Sequence, residues 1–205
     1  MTQYSLFGAE ASAPTLHDLD GLLLAGGQWV RSAAGARLSV VVADAWRADA
    51  LAATFGELGV GGEDAVVSST TGVGVRTAFS AELVPLAARW TRGANQGLPA
   101  AFELGPGGLR LWAIAAGRRD EAGYLLATPA PSASGSDRIH SAAGAQLSRL
   151  GVAAMALSQQ PGPGWRVTSV RRLRRLVELL GEPPDGGREA WPVPAVVSRA
   201  DAPRL

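Results

Sequence analysis

Leu-Asp-Gly-Leu-Leu-Leu-Ala-Gly-Gly, residues Leu19–Gly27, and Ala-Ala-Gly-Arg-Arg-Asp-Glu-Ala-Gly, residues Ala115–Gly123, are the stretches that decide the fold. Each reads as a short helical segment that ends in glycine and opens into an apolar strand. Behind the first come strands over Gln28–Ser32 and Arg37–Val42, then a helix over Ala45–Leu58 ending in Leu58-Gly59-Val60. Strands over Asp64–Ser69 and Gly74–Ala78 follow, and a helix over Ala81–Trp90 behind Ser80. Behind the second come a strand over Tyr124–Thr128 and a helix over Ser141–Leu150 ending in Leu150-Gly151-Val152. Strands near Ala153–Ser158 and Trp165–Thr168 and a helix over Val170–Leu180 complete the series. The two Leu-Gly-Val tripeptides, Arg76 with Arg166, Leu83 with Leu173 and Leu86 with Leu176 all keep an offset of about 90 positions. The chain reads as an internal duplication.

The two stretches resemble the nine-residue signature of the LAGLIDADG endonuclease family. The first agrees with it at Leu19, Gly21, Leu22, Ala25 and Gly27, the second at Ala116, Gly117, Asp120 and Gly123. The resemblance covers residues 15–182. It implies an α+β fold of two αββαββα repeats about a pseudo-twofold axis, with the motif helices packed together there. Two antiparallel sheets would form a saddle over DNA. Gly21, Ala25 and Gly26 on one helix, and Ala115, Ala116 and Gly117 on the other, would bring the backbones closer than the usual 8–10 Å, roughly. The expected organisation is an arm over 1–14, repeats over 15–93 and 100–182, a linker over 94–99, and a loose Pro/Gly-rich tail over 183–205 on which Trp191 could dock. One place departs from the pattern. Pro129–Asp137 (PAPSASGSD) stands where a second strand is due, so either a short strand near Arg138–His140 or a loop takes its place.

Composition narrows the classes. With 205 residues, 47% of them hydrophobic, the chain can bury a real core. It has no cysteine, hence no disulfide or thiolate metal site, which fits a reducing cytoplasm. Its two histidines, His17 and His140, are far apart, which argues against zinc. All 19 basic residues are arginine, a bias expected of a GC-rich bacterial genome. A net charge of +1 means that any affinity for nucleic acid must come from local clustering. No apolar run is long enough to span a membrane. The opening residues do not resemble a signal peptide, so the expected location is the cytoplasm, at the nucleoid.

Gln3-Tyr4-Ser5-Leu6-Phe7 is similar to the pentapeptide with which bacterial proteins bind the DNA sliding clamp (its beta subunit). Gln3, Ser5, Leu6 and Phe7 match, and Tyr4 replaces the usual aliphatic residue. In that family the glutamine bonds at the pocket rim and the Leu-Phe pair fills an apolar cleft, a few anchors carrying most of the energy. The small-residue stretch Gly8–Pro14 reads as a tether.

The remaining candidates are arginines. By the two-residue strand period, Arg76 and Arg166 lie on the face opposite Val75 and Val167. The resemblance makes that face the DNA side, and Arg31 and Arg37 are further candidates from the first repeat. The last helix has an apolar stripe of Val170, Leu173, Leu176, Val177 and Leu180, capped by Thr168 or Ser169, and a basic face of Arg171, Arg172, Arg174 and Arg175. That face reads either as solvated or as a phosphate contact.

LAGLIDADG nucleases carry an acid at the eighth motif position, where paired carboxylates hold Mg²⁺. Here those positions are Gly26 and Ala122. Asp120 and Glu121 could serve one site only. No cofactor is expected. The reading is therefore a monomeric, non-catalytic DNA-binding protein recruited by the sliding clamp for replication or repair. The alternatives are a transcriptional regulator with a degenerate LAGLIDADG domain, as in WhiA-type actinobacterial regulators, a residual Mg²⁺-dependent endonuclease, and an adaptor whose saddle binds protein.

Overall fold

The computed structural model describes residues 12–69, 71–93, 95–129, 136–158 and 163–193. The pentapeptide Gln3–Phe7, most of the Pro129–Asp137 stretch and the end of the tail lie outside these residues.

The chain is a mixed α+β protein. A 3-10 turn, Leu16–Leu19, leads into α1 (Asp20–Leu24). Then follow β1 (Gln28–Ser32), β2 (Gly35–Val42), α2 (Ala45–Glu57), β3 (Val66–Ser69), β4 (Gly72–Arg76) and, behind a turn at Ala81–Leu83, α3 (Val84–Arg89). A small hairpin of β5 (Thr91–Arg92) and β6 (Asn95–Gln96) connects these to α4 (Pro106–Ala116). The chain continues through β7 (Gly117–Asp120), β8 (Gly123–Ala127), α5 (Ser136–Arg149), β9 (Met155–Leu157), β10 (Gly164–Val167) and α6 (Val170–Leu180). One four-stranded sheet has the order β1-β2-β4-β3 and the other β7-β8-β10-β9, and every pairing is antiparallel.

The second motif stretch is not a helix. Only Ala115 and Ala116 are helical, as the last residues of α4; Gly117–Asp120 is strand β7, and Glu121 and Ala122 form the turn into β8. The helix begins earlier, at Pro106, whose missing N–H and fixed φ suit a first turn. Strand β7 supplies the strand that seemed to be missing, the sheet is complete, and Arg138–His140 lies inside α5.

The close helix contact is therefore made by other residues. Gly21 of α1 faces Gly108 near the start of α4, and a Cβ on Gly21 would lie 1.8 Å from the Gly108 carbonyl oxygen. Ala115, Ala116 and Gly117 are not the counterparts of Gly21. Around this crossing the helices exchange partners: α2 packs on α4, and α5 packs on α1. One hydrophobic cluster takes in both sheets and both sets of helices, with Leu22, Leu38, Phe55, Trp90, Trp112, Tyr124, Leu147 and Leu176 all fully buried.

The ends of α2 and α5 are built alike. Gly59 and Gly151 have φ of 71° and 77°, the left-handed conformation that glycine adopts most readily. Val60 donates to the Phe55 carbonyl at 2.9 Å, and Val152 donates to the Leu147 carbonyl at 2.8 Å. The Leu-Gly-Val tripeptides are these two caps.

Gln96 and the start of the tail are built into the fold. The Gln96 amide donates to the Gly27 carbonyl at 2.9 Å and accepts from Trp29 N at 3.3 Å, covering free backbone groups at the sheet edge. Trp191 is buried, and its Nε1 donates to the Gly181 carbonyl at 2.9 Å. Gly186 and Gly187 pack on Trp46. In α6, Ser169 is the N-cap but makes no side-chain capping bond. The buried stripe is Leu173, Leu176, Leu179 and Leu180, with Val170 and Val177 at its margins.

Two glycines give a test of opposite signs. Gly21→Ala forces a Cβ into backbone and is expected to destabilise by about 3 kcal/mol or more. Gly56→Ala, within α2 and with nothing within 4 Å of the added carbon, should stabilise by roughly 0.5–1 kcal/mol. Urea unfolding of the two variants checks both.

Candidate nucleic-acid interface

Each sheet has one face on the helices and one turned away from them. On β2, Ala36, Leu38, Val40 and Val42 are buried inward, which sends Arg37, Ser39 and Val41 outward. The pairing Ser39↔Arg76 puts Arg76 on the same outer face, and Gln28↔Ser39 adds Gln28. In the second sheet Tyr124, Leu126, Trp165 and Val167 pair on the inner side, and Arg118 and Arg166 both pair with Leu125 on the outer side. Arg76 and Arg166 thus occupy corresponding places, each on the fourth strand of its half.

Neither arginine is bare. Arg76 Nε donates to the Asp64 carbonyl at 3.0 Å, and its guanidinium lies 3.8 Å from the Asp64 carboxylate. Arg166 holds Asp120 at 2.6 Å. Arg37 stacks on Phe79, with its guanidinium carbon 4.6 Å from the ring centre. Four buried side-chain N or O atoms among the described residues have no hydrogen-bond partner, and two of them are the Nε atoms of Arg37 and Arg166. Gln28, Arg37, Ser39, Val41, Val67 and Arg76 line an open groove of about 540 Å³ across the first sheet. This set of donors could engage phosphate oxygens or base edges.

The other candidates sit elsewhere. Arg31 pairs with Ala36, on the helix side of β1, and donates to Thr91 Oγ1 at 3.1 Å. Helix α6 packs on α4, in the helical layer, so its basic face does not join Arg76 and Arg166. Arg171, Arg172 and Arg174 are exposed there, whereas Arg175 bonds Glu178 at 3.2 Å and reaches the Leu150 carbonyl at 3.4 Å. Arg118 joins the outer sheet face from β7, and no local pattern points to it, because Arg118, Arg119 and Asp120 are all charged.

The metal chemistry of the resembled family has no counterpart in the residues at the motif ends. Helix α1 runs out into Ala25, Gly26 and Gly27, and α4 ends in Ala115 and Ala116. Ala122, expected at the acid position, is in the β7–β8 turn instead, where its N–H donates to Asp120 Oδ1 at 3.0 Å. No group of three or more His, Asp or Glu among the described residues is placed to hold a metal ion. No described helix is long and apolar enough to cross a membrane.

Two buried charges escape a reading of the sequence. Arg47, 6% exposed, spans from α2 to the end of α4. Its Nε bonds Asp44 at 2.8 Å, one terminal nitrogen donates to the Ile114 carbonyl at 2.6 Å, and the other donates to the Gly117 carbonyl at 2.7 Å. Asp20, 2% exposed, accepts from Trp90 Nε1 at 2.6 Å and faces Arg89 at 3.4 Å. Burial pushes the Asp20 carboxyl above the usual range, opposed by the Trp90 bond and by the charges of Arg89 and His17.

No protein-family model matches the chain, and the comparison with characterised proteins finds no match.

The raised Asp20 pKa has a signed consequence. The folded state binds this proton more tightly than the unfolded chain, so the stabilisation it gives is complete below about pH 3.8 and is lost as pH rises through the folded-state value. Wild type minus Asp20→Asn stability, measured by urea unfolding from pH 3.5 upwards, should therefore fall with pH and then level off. Arg47→Leu, which strands the α4 carbonyls, should cost about 3 kcal/mol in the same assay at pH 7.

Proposed function

We propose that this protein is a non-catalytic, degenerate LAGLIDADG-like DNA-binding protein, brought to replication or repair sites by the sliding clamp. The observation that carries the reading is the recurrence of one strand order, β1-β2-β4-β3 and β7-β8-β10-β9, around a glycine-to-glycine crossing of α1 and α4. A duplicated αββαββα unit accounts for this order and for the matching caps at Val60 and Val152. In such a unit the two outer faces form a saddle over DNA, and Arg37, Arg76 and Arg166 are its contacts. The small residues at the ends of α1 and α4 support binding without cleavage, because Mg²⁺ needs oxygen ligands where this chain has glycine and alanine.

Recruitment is assigned to Gln3–Phe7 on its similarity to clamp-binding pentapeptides. The clamp from the same cell is expected to bind wild type and to lose a Leu6→Ala/Phe7→Ala variant in surface plasmon resonance; equal binding by both removes the clamp from the reading. In fluorescence anisotropy with a mixed-sequence duplex, Arg76→Ala/Arg166→Ala should weaken binding by about tenfold or more and flatten its salt dependence. Mg²⁺-dependent cutting that Asp120→Ala abolishes would make the protein a nuclease. Preference for particular promoters, retained without residues 1–8, would make it a regulator.

A further inference from the structure

We propose that Asp120 is a specificity-determining counter-charge, which suppresses the attraction of Arg166 for phosphate and leaves that arginine to contacts with neutral groups. The inference rests on the reading of the outer sheet faces as a DNA surface. It begins with register. Arg118 and Asp120 are two apart on β7, and Arg118 and Arg166 flank Leu125, so all three side chains belong to the outer face.

The carboxylate is fixed in two ways. Asp120 Oδ2 lies 2.6 Å from an Arg166 terminal nitrogen, and Oδ1 accepts the Ala122 N–H at 3.0 Å, closing the hairpin turn. Only 23% of the Asp120 side chain and 17% of the Arg166 side chain are exposed. A pair this enclosed keeps much of its electrostatic strength. A phosphate approaching Arg166 therefore meets a negative charge that cannot swing away, so Arg166 adds little to the non-specific attraction for a backbone. A base edge carries no net charge and escapes that penalty, and guanine O6 and N7 still accept from a guanidinium.

The first sheet provides an internal contrast. Arg76 faces Asp64 at 3.8 Å, and the Asp64 side chain is 87% exposed. That pair is loose and screened by water, and phosphate can displace it. The two faces consequently differ: the first is open to the backbone, and the second is filtered by Asp120.

Asparagine separates the charge from the turn, since its side-chain oxygen still accepts from Ala122. The test is anisotropy of a fluorescent mixed-sequence duplex against wild type, Asp120→Asn and Asp64→Asn at several salt concentrations, with thermal melts checking the fold. Asp120→Asn is expected to bind about tenfold more tightly, with a salt dependence steeper by roughly one phosphate contact. Asp64→Asn should gain less than about threefold. A folded Asp120→Asn that binds no better, with an unchanged salt slope, overturns the inference. If Arg76→Ala/Arg166→Ala still loses affinity in that case, the DNA reading stands and only the counter-charge falls. If wild type and both aspartate variants all fail to bind at low salt, both fall together.

Discussion

The contact between Gly21 and Gly108 is the constraint on which the rest of the structure depends. Two helices with ordinary side chains at their crossing pack at about 8–10 Å. Here the space for one methyl group does not exist. Bringing α1 and α4 together in this way lets each accept the other half's helix, α2 on α4 and α5 on α1. Among the described residues, the helices then cover one face of each sheet. Helix α1 is short, and its buried leucines, Leu22, Leu23 and Leu24, bind it to the core where five residues of helix could not hold themselves.

Arg47 secures the same junction electrostatically. The last carbonyls of a helix have no partner within it and carry partial negative charge. In α4 those groups are buried, so water cannot satisfy them, and the guanidinium from α2 does so from the other half of the chain. Its charge is matched by Asp44 and stacked on Trp46, at 4.5 Å from the ring centre. Tyr124, wholly buried nearby, has its hydroxyl pushed up by burial and drawn down by the charge of Arg47. Loss of this one side chain from α2 would leave buried carbonyls at the end of α4 without their partner.

The parts of the fold governed by apolar period were legible in the sequence, and those governed by backbone geometry were not. Helix α6 and the Leu-Gly-Val caps follow from a leucine stripe and from glycines that must be left-handed. The start of α4 defeats the same reading, because Gly105-Pro106-Gly107-Gly108 resembles a loop. Proline is at home in a first turn, and Gly108 is there for the crossing, which no local rule reveals. Once that helix was missed, Arg118-Arg119-Asp120-Glu121 looked like a charged helical end. As an edge strand it shows no apolar alternation, since polar residues lie along both faces. Arg76 and Arg166 were placed on the correct faces by period alone, but Asp64 and Asp120 pair with them through tertiary contact and register.

Charge placement bears on how such a surface would act. The chain is nearly neutral overall, and its densest basic run, on α6, lies in the helical layer rather than beside the sheet arginines. Long-range attraction for a polyanion is therefore weak, and an encounter would depend on short-range contacts made after arrival. A tether that raises local concentration is the complement of such a surface, because effective concentration can supply affinity that contacts do not. On the proposed reading, delivery would fall to the arm and discrimination to the sheets. Paired arginines suit that division: an unpaired arginine binds any backbone, whereas one held by a carboxylate favours partners that offer it more than a negative charge.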